Sequence, residues 1–322
     1  MLLATVGKCE ISGRPGWRAR RGGLIAGAME RKRRIGLAVG VAVVAAVALL
    51  FVALARQRTG AGEAGTALAG EARQGSLTVD LDPAIANVRV RQAKIPGRPI
   101  VLIDAGHGGH DPGAPGVSGS IRESALALAM ARELADLLEA RGRVRVALTR
   151  EDDRYLTLEQ RAAIARRLQA GLFVSIHMDS APNPLAHGAT IYSLSDVASS
   201  AEAANFAAAE NVAGGALSSD ADGSVRALLS DVALREQMEA SAGLATRMVR
   251  RAVGRVALRP RAHQFAAFHV LRRAETPAVL VEAGYNSNAD DEAMLMSKEG
   301  RAPLVLVLAQ AIEADFATRA AR

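Results

Sequence analysis

The sequence predicts an α/β fold, a twisted and largely parallel sheet with helices on both faces, preceded by a single N-terminal membrane segment. Two observations predict the sheet: short β-branched apolar runs alternate with longer segments of helical periodicity along residues 77–322, and half of all residues are apolar, enough for a sizeable core. A third observation predicts the membrane segment, because residues 35–55 contain no charged residue.

Residues 35–55 are long enough to cross a membrane, since 21 residues of helix at about 1.5 Å each match a hydrocarbon core of about 30 Å. The basic run Arg31, Lys32, Arg33, Arg34 stands directly before them. The positive-inside bias therefore makes residues 1–34 a basic cytoplasmic N-terminus. Because the segment ends in Ala-Leu-Ala, it fits either a retained transmembrane anchor or a cleaved signal segment.

The remainder of the chain divides at a stretch of small and polar residues. Residues 56–76 lack hydrophobic periodicity and predict a flexible linker. The folded domain is expected over residues 77–322, where residues 77–92 are expected to add an edge strand or a hairpin.

The formal net charge of +7 invites comparison with nucleic-acid-binding proteins, so the position of the charge matters. Residues 1–56 carry ten basic and two acidic residues, and the remaining residues carry 30 basic and 31 acidic ones. A near-neutral folded domain has no basic surface for phosphates, so no nucleic-acid partner is predicted. The single cysteine, Cys9, excludes a disulfide framework and a four-cysteine zinc site.

The predicted strands are β-branched runs of five or six residues, and the predicted helices are segments with apolar residues three or four positions apart. The strands are expected at 100–104, 144–149, 172–176, 189–193, 267–271 and 278–283. The helices are expected at 124–141, 157–170, 199–211, 224–252 with a break, and 302–318. Thr157 and Gln160 have the spacing of a capping box at the start of the second helix.

Residues able to bind a metal follow three of the predicted strands. The first strand runs into the glycine-rich sequence around His107, the third runs into His177, and the last runs into Glu282. Because function in an open α/β sheet collects beyond the carboxyl ends of the strands, these side chains are expected to converge. Glu123, at the start of the next helix, is a fourth candidate. Two imidazoles and a carboxylate suit a hydrolytic zinc site, and a second carboxylate could serve as the general base.

The segments IVLIDAGHGGHDPGAPG, IRES, LFVSIHMD and TPAVLVEAGYNSN closely resemble the zinc-dependent N-acetylmuramoyl-L-alanine amidases of the amidase type 3 family. The resemblance extends over residues 99–318. It implies that His107, Glu123 and His177 bind one zinc ion and that Glu282 is the catalytic carboxylate. It also implies hydrolysis of the amide between N-acetylmuramic acid and L-alanine in peptidoglycan.

Two alternatives to the amidase remain open at this point. One is another zinc-dependent peptidoglycan hydrolase, a peptidase or a deacetylase. The other is a non-catalytic, membrane-tethered protein that binds the cell wall. The chain contains neither H-E-x-x-H nor G-x-S-x-G, which disfavours zincins and serine hydrolases.

Three further residues are weaker site candidates. Asp104 ends the first strand and could orient a metal ligand as a hydrogen-bond acceptor. His110 lies in the same loop as His107 and could contact substrate. Asn288 follows Glu282 and could contact substrate or cap the next helix.

Residues 212–255 are a candidate autoinhibitory insertion, because they exceed the length of a simple connection. They resemble the helical region of division-associated amidases, in which a helix covers the zinc site until an activator with a LytM-type domain displaces it. Asp231, Glu236 and Glu239 are the candidate regulatory acids, and the alternative is an ordinary helix packed on the sheet. The resemblance also implies a periplasmic enzyme for wall remodelling or daughter-cell separation, held at the inner membrane by residues 35–55 or released from it.

Overall fold

The computed structural model describes residues 83–213 and 225–320. The predicted cytoplasmic segment 1–34, membrane segment 35–55 and linker 56–76 lie outside these residues. Within the described residues, no helix has the length and apolar character needed to span a membrane.

The described residues form eight helices and seven strands. The strands are β1 (Val90–Arg91), β2 (Ile100–Ala105), β3 (Arg145–Leu148), β4 (Leu172–Asp179), β5 (Ala189–Leu194), β6 (Leu258–Ala266) and β7 (Ala278–Tyr285). The helices are α1 (Pro83–Ala86), α2 (Glu123–Arg141), α3 (Leu158–Arg167), α4 (Ala201–Ala213), α5 (Val225–Ala252), α6 (His269–Arg273), α7 (Ala289–Met296) and α8 (Lys298–Ala320).

The strands form one mixed sheet in the order β1-β3-β2-β4-β7-β5-β6. The four central strands β3, β2, β4 and β7 are parallel, whereas β5 is antiparallel to β7 and β1 is antiparallel to β3. The parallel centre agrees with the predicted fold class. Because β2, β4 and β7 are adjacent and parallel, their carboxyl ends meet at one edge of the sheet.

Helices cover both faces, as the sequence predicts for a sheet buried on two sides. One core lies between the sheet and α2, α5, α7 and α8, and the other lies against α3, α4 and α6. Helix α2 buries Leu126, Met130, Leu134 and Leu138, one residue per turn, and ends at Gly142 in a left-handed conformation. The capping box predicted at the start of α3 is present in both directions between Thr157 and Gln160.

One predicted strand is wrong, because residues 269–273 form helix α6 and the strand lies earlier, as β6. Val270 and Leu271 reach the core as neighbours on a short helix rather than through strand alternation. Segment 258–266 escaped prediction because it contains Pro260, three basic residues and no apolar run. It occupies the sheet edge, where a proline is tolerated.

Two smaller differences concern helices. The break expected within residues 224–252 is absent, because α5 is continuous from Val225 to Ala252. Helix α7 was not predicted, although Asn288 caps it by accepting hydrogen bonds from the backbone of Asp290 and Asp291. The edge strand expected within residues 77–92 corresponds to the two-residue strand β1.

Candidate metal centre and active site

Strand register brings the sequence-predicted residues to one place. Ala105 at the end of β2 pairs with Ile176, so the loop that carries His107 begins beside His177. His177 in turn pairs directly with Glu282 on β7. Because residues directly opposite in adjacent strands point to the same face, the His177 and Glu282 side chains share the face covered by α3, α4 and α6.

The first turn of α2 places Glu123 between the two histidines. Its Oε1 lies 3.0 Å from His107 Nε2 and 3.1 Å from His177 Nδ1. Backbone amides fix the carboxylate, since Met178 donates to Oε1 at 3.0 Å and Ala114 donates to Oε2 at 2.8 Å. The structure therefore brings together the three residues for which the sequence predicted metal ligation.

A fourth group at the same point was not predicted. Glu210 of α4 places its Oε2 3.5 Å from His177 Nδ1 and 3.8 Å from His107 Nε2. Potential ligand atoms of His107, His177 and Glu210 all lie within 4.8 Å of one another. Glu210 belongs to an alanine-rich helix and to no recognisable motif, so only the tertiary structure identifies it.

The electrostatics of this cluster favour a bound cation. Burial lowers the pKa of the His107 imidazole, but Asp111, Glu123 and Glu210 outweigh burial and raise it to about 10. Burial disfavours ionised Glu123, yet hydrogen bonds from both histidines hold its pKa well below the usual range. His107 Nε2 is buried and faces the carboxylates of Glu123, at 3.0 Å, and Glu210, at 3.8 Å. Two imidazoles and nearby carboxylates are a donor set that suits zinc, so these residues fit the metal that the sequence predicted.

Asp111 orients the His107 ring. Its Oδ2 lies 2.8 Å from His107 Nδ1, which leaves Nε2 directed at Glu123 and Glu210. Carboxylates that bind the second nitrogen of a ligating histidine fix its tautomer and raise its basicity. The sequence analysis did not select Asp111, although an acid four residues after a candidate ligand in a glycine-rich loop is a usable signal.

Two buried arginines hold the His107 loop. His107 has a φ of 57°, a left-handed conformation that is unusual outside glycine. Arg161 donates to the His107 carbonyl at 2.8 Å and to the Ala105 carbonyl at 2.6 Å. Arg150 donates to the carbonyls of Gly106, at 2.7 Å, and of Ser124, at 2.8 Å, which connects the His107 loop to the helix that carries Glu123.

The three weaker candidates contact neither histidine of the cluster. Asp104 accepts hydrogen bonds from Thr149, Ser175 and Arg161, and these partners lower its pKa although burial opposes them. Asp104 therefore holds Arg161 and does not orient a histidine directly. The acid that contacts His107 is Asp111. His110 is exposed and stacks on Tyr155, with ring centroids 4.0 Å apart. Asn288 caps α7 and donates to the Pro184 carbonyl at 2.8 Å.

Glu282 is fully buried, and neither carboxyl oxygen has a hydrogen-bond partner within the described residues. Burial raises its pKa well above the usual range, and the nearby carboxylates of Asp179, Glu123 and Glu210 raise it further. An unpartnered carboxyl group with a raised pKa, one strand away from His177, is a candidate for proton transfer.

Helix α4 covers this face of the sheet. Its Ala203 and Ala207 pack in the same core cluster as Tyr192 and Leu280, and Asn211 holds its last turn by binding the backbone of Ala267 and His269. The cavity left beside the histidines has a volume of about 20 Å³. Since one water needs about 10–15 Å³ on this measure, the covered site has no room for a large substrate.

The three predicted regulatory acids do not lie at the histidines. Asp231, Glu236 and Glu239 are all exposed on α5. Glu236 and Glu239 line clefts other than the one beside the histidines. The acid that reaches the candidate metal centre is Glu210, one helix earlier than the sequence indicated.

Two histidines and adjoining carboxylates lie together at the carboxyl ends of parallel strands in an α/β sheet. This arrangement is typical of α/β proteins with a candidate metal site at the sheet edge. The Amidase_3 family, described as N-acetylmuramoyl-L-alanine amidase, matches residues 101–314. The chain belongs to this family, which is a family of hydrolases.

Two curated amidases support the family assignment by sequence. The chain is 31% identical over 265 residues to the N-acetylmuramoyl-L-alanine amidase AmiA of Escherichia coli K12. The aligned region covers 81% of this chain and 91% of AmiA. The chain is 33% identical over 220 residues to AmiC of Neisseria meningitidis serogroup B, 67% of this chain and 52% of AmiC. The solved catalytic domain of CwlV from Bacillus (Paenibacillus) polymyxa var. colistinus is 29% identical, covers 66% of this chain and 96% of the CwlV chain, and has a TM-score of 0.45.

Proposed function

We propose that this chain is an N-acetylmuramoyl-L-alanine amidase that hydrolyses the amide between the lactyl group of N-acetylmuramic acid and L-alanine in peptidoglycan. The observation that carries the proposal is the convergence of His107, Glu123 and His177 beside the unpartnered Glu282, in a chain of the amidase family. The named activity of AmiA and AmiC supports the choice of substrate.

One zinc ion would be held by His107, Glu123 and His177. A bound zinc ion polarises a carbonyl oxygen and lowers the pKa of water to about 7. The chain prepares this site by fixing each donor: Asp111 sets the His107 ring, two backbone amides set Glu123, and the β4 backbone sets His177.

Glu282 would act as general base and then as general acid. Its carboxylate takes a proton from the attacking water and returns it to the departing alanine nitrogen. The raised pKa suits the second step, because it helps the carboxyl group to keep the transferred proton until the proton passes to the amine. Rigid placement on the central strand β7 supports both transfers.

Helix α4 would keep the enzyme inactive until a partner displaces it. Glu210 occupies the open side of the histidine pair, and the small remaining cavity excludes a muramyl peptide. The proposed inhibitory element is therefore α4, residues 201–213, which overlaps only the start of the insertion predicted at 212–255. An activator with a LytM-type domain is the proposed partner.

The proposed location is the periplasm, at the inner membrane. Residues 35–55 would either anchor the protein or direct its export before cleavage. Its role would be wall remodelling or the separation of daughter cells, where a covered resting state prevents unscheduled damage to the wall.

Product analysis tests the reaction. The purified protein, with α4 released by Glu210→Gln, is incubated with muropeptides, and the products are identified by mass spectrometry. Intact stem peptides and lactyl-terminated muramic acid are expected. Cleaved stem peptides would indicate a peptidase, free glucosamine amines a deacetylase, and unchanged substrate a non-catalytic wall-binding protein.

Glu282→Gln tests the base. We expect hydrolysis to fall by about 10²–10⁴-fold, the usual contribution of general acid–base catalysis, because the amide cannot accept the water proton. Zinc content, measured by atomic absorption, should match the parent protein. Substantial residual activity with zinc in place would contradict the assignment.

Glu210→Gln tests the inhibition. The amide is a weaker partner for the histidines and for a cation, so α4 opens more often and hydrolysis rises about tenfold for each 1.4 kcal/mol lost by the closed state. Glu236→Gln, on the exposed side of α5, is the matched control and should change nothing. Equal rates for the parent and Glu210→Gln proteins would exclude Glu210 as the inhibitory group.

A further inference from the structure

Arg259 on β6 connects helix α4 to the sheet. Its Nη2 lies 2.5 Å from Glu202 Oε2, in the first turn of α4. Its Cζ lies 5.7 Å from the ring centroid of Tyr285, and its Nη1 is buried without a hydrogen bond within the described residues. Half of this guanidinium thus binds a carboxylate of the covering helix, and Nη1 on the other half makes no hydrogen bond within the described residues.

The position of Arg259 relative to Glu282 follows from strand register. Thr190 on β5 pairs with Glu282, and the preceding residue, Ala189, pairs with Leu258. The β5–β6 register shifts just after this pair, but Arg259 still lies one intervening strand away from Glu282, about two strand spacings or roughly 10 Å between the two backbones. It lies across β5 from β7, on the side of the site opposite β2 and His107.

Other polar groups under α4 are also without partners. The hydroxyls of Thr190 and Tyr192 are fully buried and make no hydrogen bond within the described residues. The Tyr192 ring packs on Phe206 of α4, with centroids 5.5 Å apart. Buried polar atoms are nearly always satisfied in folded proteins, so these donors beneath one helix are available to a polar ligand once the helix moves.

The substrate supplies a matching group. The peptide released by the proposed reaction begins with L-alanine, and the carboxylate that Arg259 would bind is assigned to the residue that follows. An extended peptide advances about 3.3–3.6 Å per residue, so a carboxylate on its second residue falls within reach of the long Arg259 side chain. A guanidinium binds a carboxylate through paired hydrogen bonds, and Glu202 presents the same group in the covered state.

We propose that Arg259 binds a carboxylate of the stem peptide, and that Glu202 occupies this position while α4 covers the site. The proposal rests on the amidase function proposed above and names the part of the substrate that Arg259 recognises. Movement of α4 would withdraw Glu202 and free the guanidinium, with the Thr190 and Tyr192 hydroxyls beside it as further donors.

The experiment compares two synthetic peptides that differ only in the second residue, which carries either a free carboxylate or its amide. Binding to the full-length Glu210→Gln protein is measured by calorimetry, and KM is measured with the matching muramyl peptides. We expect the carboxylate peptide to bind more tightly. Arg259→Met should weaken its binding by about tenfold to a hundredfold, the usual value of a charged hydrogen-bonded pair, and should leave the amide peptide unchanged.

Arg261→Met, an exposed arginine two residues along the same strand, is the matched control and should bind both peptides like the parent. If Arg259 only latches α4, Arg259→Met and Glu202→Gln will shift both peptides equally. Equal affinity for the two peptides, or no binding of the carboxylate peptide, would overturn the proposal. Loss of hydrolysis with retained carboxylate selectivity would instead count against the amidase function, because calorimetry does not depend on turnover.

Discussion

Arg161→Met tests whether the buried arginine network stabilises the fold and the His107 loop. Arg161 is 3% exposed and pairs with Asp104, which is 1% exposed, at 2.7 Å. The substitution keeps most of the side-chain volume but leaves the Asp104 carboxylate buried with only the hydroxyls of Thr149 and Ser175. Removing one partner of a buried ion pair costs about 3–5 kcal/mol, a large share of the roughly 5–15 kcal/mol that stabilises a folded protein.

Urea unfolding followed by far-ultraviolet circular dichroism measures this loss. With a urea dependence of about 2–3 kcal/mol per molar, the midpoint should fall by about 1–2.5 M. Arg167→Met, an exposed arginine on the same helix, should change stability by no more than about 0.5 kcal/mol. Asp104→Asn combined with Arg161→Met should recover part of the loss, because it removes the uncompensated charge. A loss below about 1 kcal/mol for Arg161→Met would refute the reasoning.

Two further predictions concern the site and the sheet edge. In Gly106→Ala the new methyl group would overlap the His177 imidazole, so zinc affinity in a chelator competition should fall by about 10–100-fold. The control, Gly243→Ala, meets only a flexible arginine at 3.4 Å and should leave zinc affinity unchanged. Equal affinities for the Gly106→Ala and parent proteins would mean that the His177 ring has room to move. Burial lowers the pKa of His263 below its usual 6.5, so at acidic pH the unfolded state binds more protons than the folded state. The contribution of His263 to the free energy of unfolding is therefore complete above pH 6.5 and is lost as the pH drops below it. The slope of thermal stability against pH, at most about 1.4 kcal/mol per pH unit for one group, should flatten in His263→Gln, and an unchanged slope would exclude His263 as its source.

Much of the candidate metal centre could be predicted because its candidate ligands follow buried strands. The runs before His107, His177 and Glu282 are apolar and β-branched, so strand identity and strand ends were both visible in the sequence. Parallel packing then places the ends at one edge without any knowledge of the loops. Glu123 could be included because it opens a helix directly after the same glycine-rich loop.

The elements that were missed depend on long-range contacts. Glu210 is one acid in an alanine-rich helix, and it becomes part of the site only because α4 packs across the sheet. β6 lacks an apolar run because it is an edge strand, and its short buried residues Ala262 and Ala266 give little hydrophobic signal. Asp104 lies near the end of a strand, where an acid that orients a metal ligand could lie. In the structure its ion-pair partner is Arg161, which is distant in the sequence.

Helix α4 carries two acids that face different parts of the site. Glu202 and Glu210 are eight residues apart, about 12 Å along one helix, and a single rigid displacement removes both. Under the proposed inhibition, the background rate of wall cleavage is the rate of the open form multiplied by the fraction of molecules in which this helix is away from the sheet. A partner that changes this fraction from 1% to 99% needs about 5.5 kcal/mol of preference for the open form, which is about 10⁴ in affinity. Under this proposal, α4 alone would determine both the activity of the protein without a partner and the affinity that an activating partner needs.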